Sequence, residues 1–211
     1  MKEGGTRILP ATSLRREYID AFTEIVRRIE RAIATGGATT GLPIAMYVAG
    51  GAAQLFYTGS RVSEDIDASF SRRILLPDNL QVSYVDIDGA ARVLYLDRQY
   101  NESFALLHED VHSDSLPMSV AGVDPQVIDV RAFSPIDLAV SKIARFAQHD
   151  QDDIVALARA GLITEADLRK RADEALGNYV GNLDSVKTSI ALACELVRQN
   201  QKTRRARLRR A

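Results

Sequence analysis

Residues 48–70 read VAGGAAQLFYTGSRVSEDIDASF, and this stretch decides the fold. It is entered from Ile44 to Val48, a short apolar run rich in β-formers that reads as a buried strand. Gly50-Gly51 breaks the run, and Ala52 to Tyr57 reads as a short helix packed closely behind it. A loop over Thr58 to Ser63 then leads into a second strand, Asp65 to Phe70. Side chains alternate along a strand, so Asp65 and Asp67 share one face while Ile66, Ala68 and Phe70 point into a core. Two carboxylates within about 7 Å of each other repel unless a cation sits between them. Mg²⁺ takes oxygen ligands, often one or two carboxylates plus substrate phosphates, and so suits the pair. The glycines supply the other half. Without Cβ atoms the backbone can approach a triphosphate, and amides at the start of the following helix can bind its oxygens.

The flanking sequence is read outward from there. Upstream, Ser13 begins an amphipathic pattern in which Leu14, Tyr18, Phe22, Ile25, Ile29 and Ile33 recur at three- and four-residue spacing, ended by Gly36-Gly37. Downstream, residues 78–105 read as a hairpin, with Leu80, Val82, Tyr84 and Ile87 before the turn dipeptide Asp88-Gly89 and Val93 and Tyr95 after it. Ile128 to Val130 is one more short strand. Everything after Ser134 is helical in character. Ser134-Pro135-Ile136-Asp137 combines a capping Ser, Pro at the first position and an acid in the first turn. Gly161 and Thr164 separate two further helical stretches, and Leu183 to Leu208 forms the last helix. The expectation is an α+β fold: a small mixed sheet flanked by helices over 1–133, followed by a helical domain over 134–211.

Composition bounds the function. At 211 residues and 46% hydrophobic the chain can bury a core, and 26% charged residues exclude a disordered or membrane class. The longest apolar stretches, such as Leu42 to Phe56, fall short of the roughly 20 residues a membrane span needs. The N-terminus begins Lys2, Glu3, Gly4, Gly5 rather than with a signal-like pattern. The single cysteine, Cys194, excludes an internal disulfide and reads as a small residue on an apolar helical pattern. A cytoplasmic location is expected. The formal charge of −1 hides an asymmetry: the tail 202–210, KTRRARLRR, holds six of the 27 cations, which leaves 21 against 28 anions before it, or −7. A cationic tail on an acidic body suggests contact with a polyanion such as RNA, while its bland reading is a helix end complementing the macrodipole.

Strand, Gly-Gly, short helix, loop and acid-x-acid strand together resemble the signature of the polymerase-β-type nucleotidyltransferase superfamily. The fuller pattern, Gly50-Gly51 through Arg61, Ser63 and Asp65-Ile66-Asp67, is similar to the abortive-infection (AbiEii-like) and toxin-antitoxin nucleotidyltransferases. A second block, Pro135-x-Asp137-Leu138 with Ser141-Lys142 and Arg145, then Asp150-x-x-Asp153, looks like that family's helical segment. The resemblance implies a nucleotidyltransferase-type sheet in which Asp65 and Asp67 hold Mg²⁺ or Mn²⁺ and a nucleoside triphosphate is the substrate. Gly50, Gly51, Arg61, Ser63, Lys142, Asp150 and Asp153 would be its nucleotide-binding residues. It also implies a third catalytic carboxylate from a neighbouring strand. Asp97 is the choice by position, with Asp86 and Asp129 as substitutes. Many members carry Gly-Ser where this chain has Gly50-Gly51, a departure that removes a hydroxyl from the phosphates.

The implied activity moves a nucleoside monophosphate onto an acceptor hydroxyl: a transfer RNA 3′ end, a protein or a small molecule. The implied setting is the toxin of a bacterial defence or addiction pair, with a cognate antitoxin as partner and the basic tail reaching the RNA. Two other classes stand beside this. One is a binding module that kept the fold without turnover. The other is a zinc hydrolase, because His108-Glu109-Asp110-Val111-His112 matches H-E-x-x-H; on a helix both histidines would share a face with Glu109 as base. That motif is short, and no third ligand follows at a familiar spacing.

Overall fold

The computed structural model describes residues 15–36, 41–59 and 62–208, with the backbone alone over 202–208. Ser13, Leu14, Gly37, Arg61 and the tail beyond Leu208 lie outside the described residues. The described chain is α+β, with six α-helices and two mixed sheets. It divides into two compact units that are not contiguous in sequence. Among the described residues, one holds 15–100 together with Ser115–Ala132; the other holds Asn101–Asp114 together with 133–208.

The first unit begins with α1 (Arg16–Thr35), whose apolar stripe buries Tyr18, Phe22, Ile25, Ile29 and Ile33. At about 1.5–3 kcal/mol for each large side chain removed from water, this stripe is a principal anchor of the unit. It packs on the hairpin β4 (Gln81–Val85) and β5 (Ala91–Leu96), and Phe22 meets Phe56 edge to face at 5.1 Å. The hairpin turns where expected: Gly89, at φ +79°, donates its N–H to the Asp86 carbonyl. The larger sheet runs β3-β1-β7-β6, with β1 (Ile44–Val48) antiparallel to β3 (Ala68–Phe70) and parallel to β7 (Ile128–Ala132). β6 (Leu116–Pro117) pairs with β7 at the sheet's edge. The smaller sheet runs β2-β5-β4, with β2 (Asp65–Ile66) parallel to β5.

The structure corrects two local expectations. The helix after β1, α2, runs Gly50–Thr58 rather than from Ala52, because Gly50 at φ +56° lets the chain turn directly from extended Ala49 into the helix. Every residue from Gly51 to Tyr57 is buried, so α2 is a central helix, with Gln54 the polar side chain on its otherwise largely apolar surface. The strand expected over Asp65–Phe70 is two strands in two sheets, and the chain crosses between them at Asp67. The Ala49 N–H takes the Asp67 carbonyl at 2.8 Å, which ends the ladder to β5 and turns the chain onto β1.

In the second unit, α3 (Pro135–Ser141) starts as its sequence predicts. Ser134 Oγ accepts from the Asp137 N–H and donates to its carboxylate at 2.6 Å. α4 (Gln148–Ala160), α5 (Glu165–Ala175) and α6 (Leu183–Leu208) complete a helical core, with Val186, Ile190, Ala193, Cys194 and Val197 of α6 buried. Burial pushes the Cys194 thiol above its ordinary pKa, so it is an inert core residue.

Candidate active site

The parallel register sets Asp65 opposite Tyr95 and Ile66 opposite Leu96. Ile66 and Leu96 are buried, so Asp65 and Tyr95 stand on the open face, as alternation requires. Asp67 is half-buried like Asp65 and flanks the same buried Ile66. The last ladder bond runs from the Asp97 N–H to the Ile66 carbonyl at 3.0 Å, which places Asp97 beside the Ile66–Asp67 peptide. The charges register on Tyr95. Its phenol is held above the ordinary 10.0 by the carboxylate of Asp65 first, then by desolvation, and then by Asp97, Glu64 and Asp67. Four acids therefore bear on one exposed ring.

Two neighbours fix this pair. Ser63 is buried and its hydroxyl donates to Asp65 Oδ1 in a short hydrogen bond, leaving the second oxygen to other partners. Gly50 lies against Asp67: a Cβ built there would fall 1.8 Å from Asp67 Oδ2 and 2.7 Å from its Cγ. Any side chain would displace the carboxylate from the start of α2. Of the substitutes for the third acid, Asp86 has no exposed side chain and is gripped by Arg15 and by Arg92 at 2.7 Å. Asp129 pairs with Arg131 at 3.2 Å. Asp97 instead accepts from the Gln99 N–H at 2.8 Å and retains its place beside β2.

All the oxygens here are hard donors, the chemistry that Mg²⁺ and Mn²⁺ prefer. Among the described residues no group of three or more His, Cys, Asp or Glu forms a metal site. A carboxylate pair completed by substrate phosphates is nevertheless a common Mg²⁺ arrangement, so Asp65 and Asp67 with the Gly50 cradle fit the ion.

The second sequence block behaves differently. Lys142 and Asp153 form a buried ion pair at 2.7 Å, with 5% and 2% of their side chains exposed. Asp150 is fully buried and takes both Arg145 nitrogens, at 2.8 and 2.7 Å, with the Ala147 N–H at 3.0 Å. Burial alone would raise its pKa, but the Arg145 hydrogen bonds outweigh it and hold the carboxyl below the ordinary 3.8. In this arrangement Lys142, at the end of α3, is tied to Asp153 of α4, and Asp150 ties the segment Arg145–Ala147 to the start of α4. Sequence reasoning missed Arg171, which clamps the buried Asp137 at 2.7 and 3.0 Å and also reaches Asp114 at 2.7 Å.

The H-E-x-x-H motif lacks its helix. Residues 109–114 are turns, and the two rings face different acids: His112 Nε2 meets Glu102 at 3.1 Å and His108 Nε2 meets Glu174 at 3.7 Å. The zinc reading loses the common face on which it depends.

The family model described as "Nucleotidyltransferase of unknown function (DUF6036)" matches residues 37–190. The chain belongs to this family. The matched span of the nucleotidyltransferase covers both the Gly50–Asp67 site with Asp97 and the Lys142–Asp153 block. Neither a curated protein nor a solved structure matches it. Among its described residues no helix is long and apolar enough to cross a membrane.

Proposed function

We propose that the chain transfers a nucleoside monophosphate from a nucleoside triphosphate to an acceptor hydroxyl, the acceptor oxygen bonding to the α-phosphorus as the bond to the β-phosphate breaks and pyrophosphate leaves, with Asp65 and Asp67 holding Mg²⁺ or Mn²⁺. The observation that carries this is the pairing of two acids around buried Ile66 with a glycine that admits no side chain beside one of them. When bound, the cation would neutralise the triphosphate and lower the acceptor hydroxyl's pKa. Ser63 holds Asp65 in place, Gly50 and Gly51 let the backbone approach the phosphates, and Asp97 receives the acceptor's proton. The abortive-infection resemblance extends the reading to a toxin of a two-gene system acting on a transfer RNA 3′ end or a protein.

One observation favours a second reading, a nucleotide-binding module without turnover: Gly50-Gly51 stands where many superfamily members carry Gly-Ser, which removes a hydroxyl from the phosphates. A single assay separates them. Purified protein is incubated with Mg²⁺, each labelled triphosphate in turn and total transfer RNA, beside Asp65→Ala/Asp67→Ala. Label on RNA or protein that vanishes in the double variant is the expected result. Binding of Mg²⁺–nucleotide without transfer to any acceptor identifies the silent module, and no binding at all refutes both.

A further inference from the structure

A second feature adjoins Asp97. At the ends of β3 and β5 lies an open cleft of about 270 Å³, lined by Arg72, Arg73 and Arg98 together with Asp97, Ser69 and Tyr100. Arg72 and Arg73 follow β3, and Arg98 follows Asp97 directly, so two segments bring three arginines to the lining of one cleft that Asp97 also lines. Arg98 is held over the cleft by donating to the Pro77 carbonyl. This concentration of positive charge stands on a body that is otherwise net negative.

We propose that this cleft binds phosphate groups of a nucleic-acid acceptor, delivering its terminal hydroxyl to Asp97. Guanidinium forks match phosphate oxygens in geometry as well as charge. Phosphate could also come from the triphosphate, and the salt series below separates the two sources. The volume falls just below the roughly 300–1,000 Å³ that encloses a whole small-molecule ligand. An open cleft of that size suits the last phosphates of a strand that continues into solvent. Tyr100 in the same wall offers a ring against which a terminal base can stack. The inference rests on the transferase reading only in its use of Asp97; the binding itself needs neither metal nor turnover.

The test therefore uses the full chain in chelator, with a fluorescent single-stranded RNA oligonucleotide titrated by anisotropy across a salt series. Each phosphate contact contributes a slope of about −0.7 in log affinity against log salt for a single strand. Arg72→Gln/Arg73→Gln/Arg98→Gln should flatten the slope by about 2, while Mg²⁺–ATP affinity, measured separately without chelator, stays as in the wild type. The Arg→Lys triple variant should retain most of the slope, and a thermal melt confirms that both variants fold. An unchanged RNA slope overturns the proposal. So does a loss of Mg²⁺–ATP affinity with RNA binding intact, which would assign the arginines to the triphosphate. Neither outcome depends on whether the protein transfers nucleotides, so a silent active site is recognised separately, by RNA binding without product.

Discussion

Replacing Gly50 with alanine tests the site where the geometry is tightest. Two costs arise, and they separate. The first is backbone: at φ +56° a residue with a Cβ costs about 1–2 kcal/mol. The second is contact. The new Cβ would lie 1.8 Å from Asp67 Oδ2, and an ordinary contact begins at 3.4 Å, so the carboxylate must retreat by 1.6 Å. A misplacement of about 1 Å in a reacting constellation can cost on the order of 10²-fold in rate, or about 2.7 kcal/mol of barrier. Gly89→Ala supplies the control, because it has the same handedness of backbone, φ +79°, with nothing within 4 Å of the added Cβ. Urea unfolding should show both variants destabilised by about 1–2 kcal/mol. In the transfer assay only Gly50→Ala should fall, by about 10²-fold or more, with weakened Mg²⁺–nucleotide binding in calorimetry. A folded Gly50→Ala protein with wild-type transfer and affinity would refute the assignment of Asp67 to the metal.

Three further outcomes follow from the charges. Lys142→Met removes the ammonium that faces buried Asp153 and should cost about 3–5 kcal/mol in urea unfolding, whereas Lys142→Met/Asp153→Leu should recover most of it. If the single variant unfolds like the wild type but loses nucleotide affinity, the ammonium serves the phosphates after all. Tyr95 should titrate above 10.0 when wild type and Tyr95→Phe are compared by ultraviolet difference spectra, and Asp65→Asn should bring it down; equal titration in the two backgrounds would separate Asp65 from the ring. Asp150 has its pKa depressed in the fold, so the stability it supplies is present above about pH 4 and is lost as pH falls through the lower folded value. Asp150→Asn should flatten the acid limb of the stability profile, and an unchanged limb would show that Arg145 does not hold the carboxylate.

What was legible in the sequence was what one segment settles alone. The period of Tyr18, Phe22, Ile25 and Ile29 sets a helix whatever lies elsewhere, and Asp88-Gly89 sets a turn because glycine tolerates its φ. The burial of Ile66 between half-buried Asp65 and Asp67 was legible too, since it follows from the local pattern of apolar and polar residues. The break at Asp67 was not, because it depends on which distant strand captures each half: β5 takes Asp65 and Ile66, and β1 takes Ala68 to Phe70. Charge partners were hidden for the same reason. Lys142, Arg145, Asp150 and Asp153 form a pattern that suits phosphate binding or helix docking equally, and only the burial of Asp150 and Asp153 shows these groups facing one another. His108 and His112 make the converse case: their spacing implies a shared face only on a helix, and a turn sends the two rings to Glu174 and Glu102. The arginines beside Asp97 are the most consequential of these non-local features. Arg98 lies about 25 residues beyond the adjacent Arg72 and Arg73, no local motif joins them, and the pairing of β2 with β5 is what carries Asp97 to the Ile66–Asp67 peptide and leaves Arg98 at the cleft. A sequence reader looking for an RNA contact is drawn to the tail at 202–210, where six cations fall within nine residues. The fold offers a second cationic surface whose members are scattered, and that one adjoins a candidate catalytic carboxylate.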